Sequence, residues 1–140
     1  MTLASSDLET LKQFAAKTTR AVLVTRRKDG GLQSSPMAVL ADDNGDVLTA
    51  TRSRNAKTYN LVRDPRAVLC LMDESWPGPW LHVEGQAHIT RLPEAWPLLV
   101  DYYGRRGMDT AADAFRERME RENRVLIRIK VDRLVRPPSA

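Results

Sequence analysis

The chain has 140 residues, 42% hydrophobic and 29% charged, which is typical of a soluble globular domain. Its 22 basic and 18 acidic residues leave a net charge of +4, and the two signs alternate through residues 116–122, which argues against a nucleic-acid-binding surface. No apolar run is long enough to span a membrane and no secretion signal is found, so we expect one cytoplasmic domain over residues 1–140. The one cysteine, Cys70, lies in an apolar run and is predicted to be a buried core thiol.

The first predicted elements are a helix and three strands. The helix is predicted over residues 5–17, with Ser6 and Glu9 forming a capping box. Strands are predicted at residues 21–25, 33–41 and 47–51, separated by two glycine-containing turns. Because short turns join antiparallel neighbours, this order excludes a Rossmann unit, whose parallel strands need long crossovers.

The second half of the chain alternates helices with longer strands. A short helix capped by Ser53 is predicted to run to about residue 62 and to stop before Asp64-Pro65. Further strands are predicted at 67–72, 80–91 and 125–131, the second with a bulge at Gly85, and further helices at 93–103 and 110–121. The order predicts a mainly β, antiparallel barrel with peripheral helices.

Common catalytic and metal-binding motifs are absent from the sequence. It contains no Gly-x-Ser-x-Gly elbow, no Walker loop and no Gly-x-Gly-x-x-Gly loop. The two histidines, His82 and His88, are six residues apart on one predicted strand, a separation of about 20 Å, which is too far for one metal ion. We therefore predict no metal site.

The most informative segment is residues 51–61, which ends a strand and begins a helix. Backbone N–H groups at a helix N-terminus attract anions, and here cations and hydroxyls lie beside them. The cations are Arg52, Arg54 and Lys57, and the hydroxyls belong to Thr51, Ser53 and Thr58. This combination favours a phosphate site. The alternative is a solvated basic turn in which Ser53 only caps the helix.

Residues 54–67 resemble the signature of the pyridoxamine-phosphate-oxidase-like superfamily of flavin and deazaflavin oxidoreductases. They read Arg-Asn-Ala-Lys-Thr-Tyr-Asn-Leu-Val-Arg-Asp-Pro-Arg-Ala and contain a basic residue, Lys-x-x-Asn-Leu and Asp-Pro-Arg. Segments 30–37, 80–87 and 124–129 are similar to other strands of that family, although Leu32 stands where proline is common. The resemblance implies a split β-barrel that forms a homodimer, with the cofactor in a cleft between the subunits.

The resemblance also implies roles for individual residues. Lys57, Arg52 and Thr58 would hold the cofactor phosphate, with Ser53 and Arg54 contributing. The other predicted cofactor-binding residues are Gln33, Ser34, Ser35, Pro36 and Met37 along the ring, Thr51, Ala56 and Asn60 in the phosphate segment, and Trp76 and Trp80 from the partner chain.

The short chain and the run Ala56-Lys57-Thr58 resemble the branch that uses coenzyme F420, a deazaflavin found in actinobacteria and some archaea. FMN is the alternative cofactor. The implied function is hydride transfer between reduced F420 and an unsaturated organic acceptor; the alternatives are an FMN-dependent oxidoreductase and a non-catalytic flavin- or F420-binding protein. The three cations of residues 26–28 have two interpretations: they contact the anionic tail of F420, or they only flank a hairpin turn.

Overall fold

The computed structural model describes residues 3–137, which form seven strands and four helices. The strands are β1 (Arg20–Arg26), β2 (Leu32–Ala38), β3 (Leu40–Ala41), β4 (Val47–Arg52), β5 (Arg66–Met72), β6 (Trp80–Thr90) and β7 (Arg124–Val135), and the helices are α1 (Ser5–Lys17), α2 (Ala56–Arg63), α3 (Trp96–Arg105) and α4 (Asp113–Glu122). The strands pair antiparallel in the order β2-β1-β5-β6-β7-β4-β3. Within residues 3–137 no helix is long and apolar enough to cross a membrane.

The two edges of the sheet approach each other at Ala38, the last residue of β2. Its carbonyl accepts hydrogen bonds from Thr49 Oγ1 of β4, at 2.8 Å, and from the hydroxyl of Tyr102 in α3, at 2.7 Å. The sheet therefore curls into a barrel that stays split between its edge strands β2 and β3. The predicted fold class, an antiparallel split β-barrel with peripheral helices, is confirmed.

The core follows from the alternation of side chains along the strands. Inward-facing residues of β1, β5, β6 and β7, such as Leu23, Leu69 and Ile127, form one buried cluster with Leu11 of α1. A second cluster forms where α3 and α4 cover the other face of β4 and β7. Residues 3–137 provide no such cover for the outer face of β1 and β5, so the side chains of Val22, Val24 and Val68 are only half-buried.

The bulge expected at Gly85 is confirmed, but the extra residue lies on the neighbouring strand. Glu84 pairs with Arg133 and Gly85 pairs with Val131, so Asp132 of β7 is the inserted residue. A Cβ atom on Gly85 would lie 2.3 Å from the carbonyl oxygen of Lys130, so no larger residue fits there. The insertion reverses the alternation of β7 and leaves that of β6 unchanged.

Both predicted helix caps are wrong. Helix α1 begins two residues earlier than a Ser6 cap requires, with Ala4 at the N-cap, and no side chain caps it. Helix α2 has Asn55 at its N-cap, while the backbone N–H of Ser53 donates to the carbonyl of Asn123. The reason is long-range: Ser53 is held by a residue that follows α4, and local sequence carries no sign of that contact.

Other differences concern element boundaries. The strand expected over residues 33–41 is interrupted at Val39, whose N–H donates to the carbonyl of Thr19. Helix α3 begins at Trp96 rather than residue 93, because residues 92–95 form a turn closed by the Trp96 N–H on the Pro93 carbonyl. Strand β7 runs to Val135, four residues past its predicted end, because pairing with β6 resumes after the bulge.

Candidate functional site

The strand–helix junction of residues 51–58 is held by side-chain hydrogen bonds of its own. The amide nitrogen of the Asn55 side chain donates to Thr51 Oγ1 at 2.7 Å. Thr58 Oγ1 is fully buried and donates to the carbonyl of Arg52 at 3.0 Å. The hydroxyls of Thr51 and Thr58, predicted as phosphate ligands, thus have partners that shape the turn in this structure.

Helix α2 starts without a side-chain cap. The Asn55 carbonyl accepts from the N–H groups of Thr58 and Tyr59, at 3.0 and 3.4 Å, whereas the N–H groups of Ala56 and Lys57 have no acceptor among residues 3–137. Unpaired amides and the positive end of the helix dipole face the same way, so this terminus attracts an anion.

Lys57 lies at this helix start and is half-buried. Desolvation, and then the positive charge of Arg124, lower the pKa of its ammonium group below the usual value of 10.5. Within residues 3–137 it forms no salt bridge with a carboxylate. Desolvation and Arg124 destabilise the charged form of Lys57, and a bound anion would stabilise it.

A polar cavity of about 720 Å³ opens beside the junction. Its lining comes from the loop after β4 and from the end of α4, and comprises Arg52, Ser53, Arg54, Asn55, Arg121, Glu122 and Asn123. Arg52 forms an ion pair with Glu122 across 3.4 Å, and Glu122 also accepts from Arg118 and Arg124. The cavity therefore has more positive than negative charge on its walls.

Three residues at this junction, Arg121, Glu122 and Arg124, were not predicted as site residues. The alternating charges of residues 116–122 indicated only a solvated helix face, and that interpretation holds for Arg116 and Glu120, which are exposed and pair with each other. Glu122 differs because the pairing of β4 with β7 brings Arg52 opposite Arg124. One feature of the sequence could have indicated this role for Glu122: it is the last carboxylate before strand β7, whose first residue is the basic Arg124.

Asn60 points away from the junction and attaches α2 to the sheet. Its side-chain nitrogen donates to Thr25 Oγ1 of β1 at 3.1 Å, and its oxygen accepts from Arg63 at 3.2 Å. Since Asn60 is 6% exposed, both ends of its amide are used inside the protein. The structure thus places this predicted cofactor ligand in the support of α2.

The five residues predicted to run along the ring do not share one face of β2. Gln33, Ser35 and Met37 pair with the inward-facing residues of β1, while Ser34 and Pro36 are exposed on the opposite face. Gln33 is the register partner of Thr25, whose hydroxyl bonds Asn60 of α2. The inward face of β2 therefore lies on the side of the sheet that carries α2.

Trp76 and Trp80 lie elsewhere, around the loop between β5 and β6. Trp76 is 86% exposed, and both tryptophans line an apolar cavity of about 350 Å³ with Cys70 and Met72. This cavity shares no residue with the polar cavity, so a single chain does not join them. Cys70 is half-buried on this outer face, so the prediction of a buried core thiol is wrong. Partial burial raises the pKa of its thiol.

The cations of residues 26–28 fit the hairpin-turn alternative. Arg27 pairs with Asp29 at 3.1 Å and donates to the Leu32 carbonyl at 2.9 Å, so it closes the turn between β1 and β2. Arg26 lies 4.0 Å from Asp64. Two of these three cations therefore have partners within the protein.

The fold is that of the flavin-binding split β-barrels. The sequence profile of pyridoxamine 5'-phosphate oxidase matches residues 8–135, and the chain belongs to that family. Members of this family are in general oxidoreductases, and the fold binds flavins.

Several solved structures share the fold. A conserved hypothetical protein from Mycobacterium tuberculosis is 23% identical, with a TM-score of 0.73 over 100% of this chain and 92% of its own. An F420 reductase is 20% identical, with a TM-score of 0.65 over 89% and 94%. A heme-binding protein from Mycobacterium smegmatis is 18% identical, with a TM-score of 0.69 over 96% and 55%. At these identities the likeness shows the fold and leaves the ligand open, and comparison with curated proteins gives no significant match.

Proposed function

We propose that the protein is an F420-dependent oxidoreductase that transfers a hydride between reduced F420 and an unsaturated small organic acceptor. The observation that carries the proposal is the uncapped start of α2 beside Lys57, a cation that forms no salt bridge with a carboxylate of residues 3–137. Membership of an oxidoreductase family whose fold binds flavins supports the same assignment.

The residues at the junction fit a cofactor phosphate. The N–H groups of Ala56 and Lys57 and the Lys57 ammonium can donate there, and residues 3–137 place no carboxylate in a salt bridge with Lys57; the Arg52 guanidinium lies beside them and also pairs with Glu122. The polar cavity adds Arg54 and Arg121, for which residues 3–137 provide no ion pair. Room and charge beyond one phosphate favour F420, which carries an anionic tail, over FMN.

In the proposed mechanism, bound F420 supplies the hydride chemistry, and the protein supplies binding, orientation and exclusion of water. Lys57 and Arg52 hold the phosphate, while the hydrogen bonds of Thr51 and Thr58 keep the junction rigid. Asn60 fixes α2 on β1, so the phosphate-binding amides are held at a constant position relative to β2.

We also propose a homodimer whose interface contains the cofactor cleft. Support comes from the uncovered outer face of β1 and β5, where Val22, Val24 and Val68 form an apolar surface continuous along paired strands. Beside it lies the apolar cavity with the exposed Trp76. A second chain placed on this face would shield both features from water, and its Trp76 and Trp80 would then reach a cleft that one chain leaves incomplete.

FMN is the second candidate cofactor, because the family's fold binds flavins and the FMN phosphate would use the same donors. A non-catalytic carrier of either cofactor would share these features as well. The two assignments differ in turnover and in affinity, so both quantities have to be measured.

The test is a side-by-side titration of the purified protein with F420 and FMN by isothermal calorimetry. It is followed by steady-state oxidation of reduced F420 with a panel of enones and quinones. We expect tighter binding of F420 and turnover with at least one acceptor. Tighter binding of FMN would make FMN the cofactor instead of F420. Binding without turnover would indicate a carrier. If the protein binds neither cofactor, the proposal is refuted.

A further inference from the structure

Glu122, the last residue of α4, is the shared acceptor of three arginines. Its Oε2 lies 2.6 Å from Arg124 Nε, and its Oε1 lies 3.3 Å from Arg118 Nε and 3.4 Å from Arg52 Nη2. Its side chain is only 13% exposed. Burial raises the pKa of this carboxyl, but the hydrogen bonds and charges of Arg124 and Arg118 outweigh that effect and lower it, so Glu122 is ionised at neutral pH.

Two of these three arginines come from strands, and the third, Arg118, lies on α4 itself. Arg52 ends β4 and Arg124 begins β7, and the two are direct partners in the β4–β7 ladder. Like charges directly opposite each other on paired strands repel. One carboxylate oxygen on each guanidinium relieves the repulsion and fixes the direction in which each side chain extends.

The bond to Glu122 leaves the far end of Arg124 open. The Arg124 side chain is 14% exposed, and Nε is its one atom with a hydrogen-bond partner among residues 3–137. Among residues 3–137 no fully buried side-chain nitrogen lacks a partner, so the two terminal nitrogens of Arg124 are at least partly exposed. Its charge also lies close enough to Lys57 to lower the pKa of that lysine. Arg124 therefore presents two N–H donating groups near the start of α2.

The charges in this cluster do not balance. One carboxylate serves Arg52, Arg118 and Arg124, and Lys57 lies close to the last of these. If this network served only to stabilise the fold, a second carboxylate would stabilise the fold further. The excess of positive charge has a free-energy cost in the empty protein, and a bound anion would remove it.

We infer that Glu122 is a positioning residue of the phosphate site, which holds Arg52 and Arg124 in place and makes Arg124 a further ligand of the bound anion. This inference rests on the proposed function only in taking the anion to be a cofactor phosphate. Glu122 itself does not contact the anion, and its role is exerted through the two arginines.

The experiment compares wild-type protein with Glu122→Gln, which keeps the shape of the side chain and removes its charge. Glu120→Gln is the matched control, since Glu120 is in an exposed ion pair with Arg116 on the same helix. Calorimetry gives the affinities for F420, FMN and inorganic phosphate. In parallel, ¹⁵N NMR follows the Arg Nε–H signals, of which the Arg124 signal is assigned by its loss in Arg124→Lys.

The two effects of Glu122→Gln on affinity have opposite signs, which makes the result decisive. Loss of a negative charge alone would tighten anion binding, whereas loss of positioning weakens it. We expect affinity for the bound anion to fall about tenfold in Glu122→Gln and to stay within about twofold in Glu120→Gln. The Arg124 Nε–H signal should be sharp in wild type, shift on addition of phosphate and broaden in Glu122→Gln.

Unchanged or tighter binding by Glu122→Gln would overturn the inference, and so would equal losses in the two variants. If Glu122→Gln does not fold, Arg124→Lys replaces it, because lysine keeps the charge but cannot bind Glu122 and an anion through separate nitrogens of one planar group. If wild type binds neither cofactor, the proposed function fails. The inference still stands in that case if phosphate shifts the Arg124 signal only when Glu122 is present, and fails if it does not.

Discussion

The side-chain nitrogen of Asn60 donates a hydrogen bond to the hydroxyl of Thr25 across 3.1 Å, and both residues are buried. This bond joins α2 to β1, and Asn60 reaches Arg63 as well. Removing one partner of a buried hydrogen bond leaves the other without water or protein to bond. We expect Asn60→Ala to lower the free energy of unfolding by about 1–3 kcal/mol, measured by urea denaturation.

A double-mutant cycle separates this bond from simple loss of side-chain volume. Thr25→Val removes the hydroxyl and preserves the shape of the residue. If the bond is what stabilises the helix position, the double variant should be less destabilised than the sum of the single variants, with a coupling of about 1 kcal/mol. Additive effects would show that Asn60 acts through packing alone.

Lys57→Ala should weaken binding of the cofactor by about 1–3 kcal/mol, the range for a charge-assisted hydrogen bond. The measurement is calorimetric titration with F420 and with FMN. Lys130→Ala is the control, because Lys130 is exposed on β7, opposite Gln86 of β6, and is not part of the α2 start. If Lys57→Ala binds both cofactors as tightly as wild type does, Lys57 is not a ligand of the cofactor phosphate.

The affinity for the cofactor phosphate should fall on the alkaline side. Lys57 binds an anion only as the ammonium ion, and desolvation together with Arg124 lowers its pKa below 10.5. The charge is therefore lost, and the affinity with it, as pH rises through this lowered pKa. Titrations from pH 7 up to pH 10.5 should show the fall setting in below 10.5 in wild type, whereas Lys57→Arg should keep a flat profile because arginine stays charged.

Asp64 should contribute to stability in an acid-sensitive way. Hydrogen bonds from the side chain and the backbone of Arg66 lower the pKa of Asp64 from 3.8 to about 2. A carboxyl with a depressed pKa in the folded state stabilises above its unfolded pKa and loses this contribution as pH falls through the folded one. Asp64→Asn should therefore be less stable than wild type at neutral pH, and the gap should close between about pH 4 and pH 2.

Urea midpoints at several pH values measure that gap. Arg66→Ala is the matched variant, since it removes the partner and keeps the carboxyl. In that background, adding Asp64→Asn should have little further effect at neutral pH. A gap that does not change with pH would mean that the ion pair with Arg66 is not its source.

Val68→Lys should dissociate the proposed homodimer, because Val68 lies on the outer face of the sheet, paired with Val24 of β1. Sedimentation equilibrium should give twice the chain mass of 15.8 kDa for wild type and the single-chain mass for the variant. Val100→Lys is the control, since Val100 is 41% exposed on α3. Wild type that sediments as a monomer at micromolar concentration would argue against a cleft built from two chains.

Much of the fold was predictable because it depends on local pattern. Alternation of apolar residues indicated the strands of the barrel, and glycine-containing turns set their antiparallel order. The strand–helix junction proposed to hold the phosphate was predicted in the same way, since strand, cations and helix start are adjacent in sequence. These features require no knowledge of distant residues.

The missed features all depend on contacts between distant parts of the chain. The start of α2 is set by Asn123, and the burial of Glu122 is set by arginines on two strands, one of them seventy residues away. The role of Asn60 inside the protein depends on Thr25, thirty-five residues away. Charge pattern along one helix cannot distinguish Glu120, which faces solvent, from Glu122, which does not.

The backbone bond from Ser53 to Asn123 means that the proposed anion site can form only when β4 and β7 are paired. An unfolded chain holds the same cations, but nothing brings them together. Any ligand of this junction therefore binds the folded state alone and raises the melting temperature in proportion to the logarithm of its concentration once that exceeds the dissociation constant. Cellular levels of the cofactor would then control how much of the protein survives heat and proteolysis.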